Sequence, residues 1–248
     1  MIRKLLVAIF LVLFYGCQEE SKPDADAIVT KSIQVSGGDL IKRSTISFDF
    51  RDRHYSAKRD GNNVLLTRKT IQDLDTIIDE LSSIDDKLNR FVNNEELIIE
   101  DSMAVKYKAS VNAVHYFSLL PYKLNDPAVI KTYTGETIIK DQLYHKIKVT
   151  FEAEGGGEDF EDEFIYWINK ETDKVDYLAY SYEESDGVGY RFREAYNERY
   201  IEGIRFVDYN NYKPVIKEVI LDSMDSYFKN NKLELLSKVE LKNIEVKL

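Results

Sequence analysis

The sequence has little cysteine and few residues that interrupt regular structure: one cysteine, four prolines and eleven glycines among 248 residues. With a single thiol, Cys17, the chain cannot form an internal disulfide, so its stability must come from its own core. The shortage of proline and glycine leaves little room for a long disordered linker. The net charge of −10 argues against nucleic acid or an anionic lipid surface as a partner, because both repel an acidic protein.

Recognisable catalytic motifs are also missing. The chain has no Gly-x-Ser-x-Gly, no phosphate-binding loop and no His-Glu-x-x-His. The three histidines, His54, His115 and His145, lie far apart without metal-ligand spacing and are predicted to be structural. We therefore predict no enzyme activity, no metal and no cofactor. A cleft that unites His115 or His145 with a carboxylate would point to an enzyme instead.

The N-terminal segment has the layout of a bacterial lipoprotein signal peptide. A basic start is followed by an apolar run over residues 5–15 and then by Gly16-Cys17. In such segments a small residue before the cysteine admits the signal peptidase, and the acylated thiol becomes the mature N-terminus. Phe14 and Tyr15 depart from the leucine and the alanine or serine that usually precede Gly-Cys in such segments. The run is about half the roughly 20 residues that a transmembrane helix needs, so a permanent span is not expected.

The chain is thus divided into three predicted parts: a lipoprotein signal peptide (1–16), a lipidated tether (17–24) and a single domain (25–248). Acyl chains on Cys17 would anchor the domain to a membrane. The acidic segment Gln18-Glu19-Glu20 just after Cys17 resembles a surface-export signal of envelope lipoproteins. A plain soluble tether explains it equally well, and both readings stay open. The predicted location is the outer membrane of a Gram-negative envelope, on the periplasmic side or at the surface.

The pattern of the predicted domain is mainly that of antiparallel strands with two longer helices. Asp24 is positioned to cap a first helix that ends near Val35, and a second helix is predicted from Asp101 to Leu119. Short strands separated by turns fill most of the remaining chain. Residues 70–94 are the hardest to interpret, and we expect another strand there, followed by a loop or a short helix that ends near Leu88.

Several later strands are apolar on both faces. Residues 164–168 and 175–182 carry aliphatic or aromatic side chains at almost every position. A sheet that is apolar on both sides must be covered on both sides. The predicted fold class is therefore α+β, mainly antiparallel β: a curved, partly open β-barrel with the N-terminal and mid-chain helices packed on its concave face. A closed barrel with an apolar cavity is the alternative.

The sequence resembles a family of uncharacterised Bacteroidota lipoproteins. The matching segments are Ser110 to Phe117, Leu120 to Leu124, Tyr166 to Asn169, Asp176 to Tyr182, Gly189 to Ala195 and Gly203 to Phe206. The resemblance implies no established activity. The order of its elements is similar to that of the LolA/LolB-type carrier fold, whose concave side binds acyl chains, and this implies an apolar or lipid ligand.

Arginines within aromatic strands are the candidate polar contacts. The guanidinium group binds carboxylate or phosphate in a fork, which suits an anionic head group. The alternative, which the need to pair buried charges favours, is internal ion pairing with Asp176, Glu194 or Asp208. The candidate ligand-binding residues are Arg191, Arg193, Arg205, Tyr166, Trp167 and Tyr180.

Acidic residues flank three glycines at 155–157 and could collect a calcium ion. Their spacing matches no calcium loop, so a solvated hairpin tip is the preferred interpretation. Two functions follow from the whole sequence. The first is a membrane-anchored lipoprotein that binds a hydrophobic or amphipathic ligand in a curved sheet. The second is a non-catalytic lipoprotein that docks a protein partner in an envelope complex.

Overall fold

The computed structural model describes residues 22–154, 160–184 and 187–248. The predicted signal peptide, Cys17 and the start of the tether lie outside these residues, as does part of the acidic glycine segment. None of the helices described is both long and apolar enough to cross a membrane.

The first helix, α1 (Ala25–Val35), begins where the sequence predicts. The Asp24 carboxylate accepts hydrogen bonds from the backbone N–H groups of Asp26 and Ala27 at 2.9 and 3.3 Å. This is a side-chain cap on otherwise unpaired donors. After the helix, Gly37 has a φ of 119°, and a Cβ there would lie 3.1 Å from Ile204. A larger residue would therefore be strained and would crowd the start of a strand in the second sheet.

The first sheet contains seven antiparallel strands. They are β1 (Thr45–Phe50), β2 (Arg53–Asp60), β3 (Asn63–Gln72), β4 (Asp75–Ser82), β5 (Leu88–Val92), β6 (Glu95–Leu97) and β14 (Lys242–Lys247). Their order in space is β14-β1-β2-β3-β4-β5-β6. The strand expected in this region is β4, and of the loop or short helix expected before Leu88 the structure has the loop, because residues 83–87 connect β4 to β5 without a helix. Ile77, Leu81 and Ile84 follow a helical spacing, but Ile84 lies exposed in the connecting turn and residues 75–82 pair as a strand.

The second sheet also contains seven antiparallel strands. They are β7 (Val129–Ile139), β8 (Gln142–Phe151), β9 (Glu163–Asn169), β10 (Val175–Glu184), β11 (Gly187–Ile201), β12 (Ile204–Pro214) and β13 (Leu233–Val239). Each strand pairs with its neighbours in chain order. The turn expected over 197–203 is shorter than predicted. Strand β11 continues to Ile201 past an irregular register between Tyr196 and Arg199.

The helices α2 (Asp101–Ser118) and α3 (Met224–Lys229) lie between strands in the chain. Helix α2 contacts β3, β4 and β5 of the first sheet. Its Phe117 ring also lies 5.3 Å from the ring of Tyr180 in the second sheet. The helix therefore bridges the two sheets.

The predicted fold class is confirmed: α+β, mainly antiparallel, and open. Each sheet ends on edge strands, so the closed-barrel alternative is wrong. The chain leaves the second sheet at β13 and enters the first at β14 after two residues. This short connection joins edge strands of the two sheets.

The second sheet is buried on both faces, as its two-sided apolar strands predict. One face packs against α1 and α2 through a cluster that contains Val29, Phe164, Tyr166 and Tyr209. The opposite face packs against α3 through a cluster that contains Trp167, Phe192 and Met224. Helices therefore cover both sides of the same sheet, and any pocket must lie where this cover is incomplete.

Candidate ligand-binding pocket

A pocket of about 320 Å³ lies between α2, the second sheet and the β1–β2 turn. This volume is at the lower end of the range typical of small-molecule sites. Its wall on the helix side is formed by Ala113, Val114, Phe117 and Ser118. Its wall on the sheet side is formed by Tyr180, Arg193, Val207, Tyr209, Asn211, Ser237 and Val239, with Phe50, Arg51 and Leu241 at the corner between the sheets.

The sheet-side wall changes from polar to apolar along the strands. Arg193, Asn211 and Ser237 occupy one row across β11, β12 and β13, because Arg193 pairs with Asn211 and Asn211 with Ser237. One step away, Tyr209 pairs with Val239. Val207 lies a further step away on the same strand, since side chains on one face recur every second residue. The pocket therefore has a polar end and an apolar end.

Arg193 is a buried cation that forms no ion pair with the described residues. Only 9% of the residue is exposed, and its guanidinium carbon lies 4.0 Å from the ring centre of Phe117. One nitrogen, Nη2, donates to Tyr180 Oη at 2.9 Å, whereas Nε and Nη1 have no hydrogen-bond partner. No carboxylate of the described residues forms an ion pair with it. Buried charges are normally paired, so this arrangement is unusual.

Three buried tyrosines in this part of the core, Tyr116, Tyr166 and Tyr209, have raised pKa values. Tyr166 lies beside the pocket in the same cluster, and its hydroxyl is 3.1 Å from that of Tyr116. Burial raises the pKa of Tyr116 to about 12 and the pKa of Tyr166 well above its usual range. Burial also raises the pKa of Tyr209, although Arg193 and Arg205 oppose the shift. These three buried hydroxyls therefore stay neutral near neutral pH and do not neutralise Arg193.

Arg205 has the opposite environment. Its Nε donates to Glu198 at 2.5 Å, its Nη2 lies 3.4 Å from Asp176, and its Nη1 donates to the Val175 carbonyl at 3.0 Å. The internal ion pairing that the sequence favoured is present here, with Asp176 as one of the expected partners. All three nitrogens have acceptors within the protein, and two carboxylates compensate the charge, so this guanidinium needs no anionic ligand.

Arg191 and Trp167 lie outside the pocket lining. Arg191 stacks 5.1 Å above the Tyr182 ring and donates to the Tyr190 carbonyl at 2.8 Å. Trp167 points to the other face of the sheet and packs 5.5 Å from Phe192. Of the six candidate ligand residues, the structure brings Arg193 and Tyr180 together in the pocket and places Tyr166 beside them.

Sequence reasoning missed Phe117, Tyr209, Asn211 and Ser237. A usable signal was present on β12, where period-two alternation places residues 207, 209 and 211 on one face. What the sequence did not contain was the register that sets Asn211 beside Arg193, because that pairing depends on the irregularity in β11.

The histidines form no shared site. His115 is buried, its Nε2 lies 3.3 Å from the Thr67 carbonyl, and burial lowers its pKa to about 4. His145 Nδ1 lies 3.7 Å from Glu136, but that carboxylate already binds Lys170 and Tyr133. His54 pairs with Asp49 on the surface at 2.7 Å. Within the described residues no three metal-ligating side chains gather at one point.

Solved structures of other proteins are similar to this one in fold. A DUF1329 family protein of Desulfovibrio piger is 9% identical and matches over 90% of this chain and 92% of its own, with a TM-score of 0.51. A LolA superfamily protein of Nitrosomonas europaea is 10% identical over 90% of this chain and 91% of its own, with a TM-score of 0.48. At these identities the likeness to the Desulfovibrio protein concerns the fold alone.

No curated protein matches the sequence. The resemblance to an uncharacterised family is confirmed, whereas the Bacteroidota origin stays a prediction. Residues 3–241 match a family model described as a family of unknown function, and the chain therefore belongs to that family, DUF6503.

Proposed function

We propose that this chain is a membrane-anchored envelope lipoprotein that binds a hydrophobic or amphipathic ligand in the pocket beneath α2. The observation that carries the proposal is the pocket itself. It is walled by Val114, Phe117, Val207 and Val239, and it lies where the cover of the second sheet is incomplete. An apolar concavity of this size with a few polar groups is the usual form of a small-molecule site.

The anchor is the other part of the proposal. Cys17 would carry acyl chains and hold the domain at the outer membrane of a Gram-negative envelope, where apolar ligands are abundant. Several acyl chains together give stable attachment, because each buried methylene adds roughly 0.8 kcal/mol. The function proposed is binding without catalysis, since no residue of the pocket forms a nucleophile–base pair.

The test is whether the pocket binds an apolar probe. N-phenyl-1-naphthylamine, which fluoresces in apolar surroundings, should bind the acyl-free domain (residues 22–248 with a purification tag) at one site. Ala113→Trp should abolish this binding, because Ala113 is exposed and lines the pocket mouth. Asn112→Trp is the matched control, since Asn112 is exposed on the same helix but does not line the pocket. Equal probe binding by both variants would contradict this site.

A second candidate function is docking of a protein partner. Apolar side chains are exposed around the edge strand β6 and the start of α2, with Ile98 at 96%, Leu97 at 47% and Val105 at 44%. They border a surface groove of about 350 Å³. Exposed apolar patches of this kind are common at interaction sites. A wild-type domain that binds no apolar probe would favour this function over the first.

A further inference from the structure

We infer that the pocket takes a single-chain amphiphile with a compact anionic head group, carboxylate or phosphate. The head group lies on Arg193, Asn211 and Ser237, and the chain extends toward Leu241. This inference rests on the proposed binding function and names the class of ligand.

The donors at the polar end are the first argument. Arg193 Nε and Nη1 are buried donors without acceptors. The row continues through Asn211, whose Nδ2 donates to Ser237 Oγ at 3.1 Å, so the second amide proton and the hydroxyl proton of Ser237 are the donors that remain there. Guanidinium, amide and hydroxyl groups together suit a carboxylate or a phosphate, whose oxygens accept several hydrogen bonds at once. A neutral head group would leave the buried charge without compensation.

The environment of Arg193 strengthens this argument. Phe117 and Tyr180 cover the guanidinium at 4.0 and 5.2 Å, and their faces offer partial compensation through cation–π attraction. Both rings are only half-buried and both line the pocket. Arg193 itself lines the same pocket, so a head group bound there would lie beside the guanidinium. Arg205, by contrast, keeps all its acceptors within the protein and needs no ligand.

The apolar end of the pocket determines which apolar chain the ligand can have. From Asn211 to Val207 the wall extends over four residues of β12, which is about 14 Å of strand. Beyond the polar row this wall meets Val239, Leu241 and Val114, all of which line the pocket. A volume of about 320 Å³ suits one alkyl chain with a small head group rather than a two-chain phospholipid.

The experiment compares ligands that share one chain and differ in the head group. Laurate, lauryl phosphate and lauryl alcohol are each titrated into protein that holds N-phenyl-1-naphthylamine, at pH 7.5 and below their micelle concentrations. The affinity of each ligand is obtained from the displacement of the probe. For the wild type, at least one anion should bind about 10- to 100-fold more tightly than the alcohol, the range expected for hydrogen bonds to a charged group. The anion that binds more tightly shows whether the head group of the ligand is a carboxylate or a phosphate. Equal affinities indicate a site that accepts either head group.

Arg193→Met should reduce the preference for anions to about threefold or less, while lauryl alcohol binds as before. Arg193→Lys should retain part of the preference, because lysine keeps the charge and loses the fork. Arg191→Met is the matched control on the same strand and should keep the full preference, since Arg191 does not line the pocket. The wild-type comparison needs no variant, so a variant that fails to fold leaves the test in place.

Two failures can be told apart. If the probe binds the wild type and all three ligands displace it with equal affinity, the head-group inference is overturned and the binding function stands. The same conclusion follows if folded Arg193→Met keeps the full preference for anions. If the wild type binds neither the probe nor any of the ligands, the proposed function itself is wrong.

Discussion

At the scale of single residues, two arginines on neighbouring strands have opposite roles because their surroundings differ. Arg205 has two carboxylates and a backbone carbonyl within hydrogen-bond distance. Arg193 has a tyrosine hydroxyl and the faces of aromatic rings. Removing one member of a buried ion pair leaves the other uncompensated, whereas removing an unpaired buried charge leaves nothing behind.

This difference predicts unequal effects on stability. Arg205→Met should lower the free energy of unfolding by about 2–3 kcal/mol, somewhat less than for a fully buried pair because Asp176 and Glu198 are partly exposed. Arg193→Met should change it by less than about 1 kcal/mol, since the cation–π attraction lost is offset by the desolvation relieved. Urea denaturation of the three proteins measures both changes. A larger loss for Arg193→Met would show that this arginine is structural.

A second residue-scale prediction concerns His115, whose pKa burial lowers from 6.5 to about 4, with Arg59 adding to the shift. Folded His115 stays neutral at pH values where the unfolded chain already binds a proton. The unfolded state is therefore favoured as pH falls from 6.5 toward 4, and this histidine costs on the order of 3 kcal/mol at the acid end.

His115→Gln should remove this part of the acid sensitivity, and the loss of stability between pH 6.5 and 4 should become smaller. His54→Gln serves as the control, because His54 lies on the surface with 47% of its side chain exposed. Thermal melts at closely spaced pH values give the comparison. If stability falls with pH equally in the wild type and in His115→Gln, the acid sensitivity does not come from His115.

At the scale of elements, the side chains on the two faces of strand β9 pack against different parts of the protein. Tyr166 faces the pocket side of the second sheet, and Trp167 faces α3. Both are fully buried. Alternation along a strand makes this division unavoidable once both faces are covered. Substitutions at adjacent positions of β9 can therefore alter stability and ligand binding independently of each other.

Trp167→Ala should lower the free energy of unfolding by roughly 3–5 kcal/mol, because a cavity would remain between the sheet and α3. The folded variant should still bind the apolar probe with unchanged affinity, since Trp167 does not line the pocket. Leu236→Ala on β13 is the control, as Leu236 is 45% exposed and should change stability by about 0.5 kcal/mol or less. A loss below about 1 kcal/mol for Trp167→Ala would contradict the packing described.

At the scale of the whole molecule, a lipid anchor would hold at the membrane a domain whose net charge does not favour membrane binding. With a formal charge of −10, the chain has no general attraction to an anionic lipid surface. Attachment would then depend on acylation at Cys17. Among the residues that the structure describes, the core clusters begin at Ala25.

Cys17→Ala should therefore abolish acylation and leave either a soluble protein or an unprocessed precursor. Metabolic labelling with radioactive palmitate, followed by membrane fractionation, measures both outcomes. The wild type should be labelled and should sediment with the outer membrane. A labelled, processed and membrane-bound Cys17→Ala protein would overturn the lipoprotein assignment.

The sequence by itself determined the local structure. The Asp24 cap defines the start of α1, Asp60 to Asn63 form the first clear hairpin, and two-sided apolar strands required cover on both faces. Each of these features depends on residues a few positions apart, for which composition and spacing are sufficient. Residues 75–92 were harder because Asp79 and Glu80 interrupt the alternation expected of a strand, whereas Ile77, Leu81 and Ile84 follow a helical spacing.

Only the tertiary structure decided which polar residues meet. All three candidate arginines read alike in the sequence, yet Arg205 gains a carboxylate from β10 and Arg193 does not. The row of Arg193, Asn211 and Ser237 depends on the register between three strands, including the shifts in β11 and β12. A shift of one residue turns a side chain to the opposite face, and no local pattern specifies it. The pocket exists because α2, placed by its contacts with the first sheet, covers part of the second.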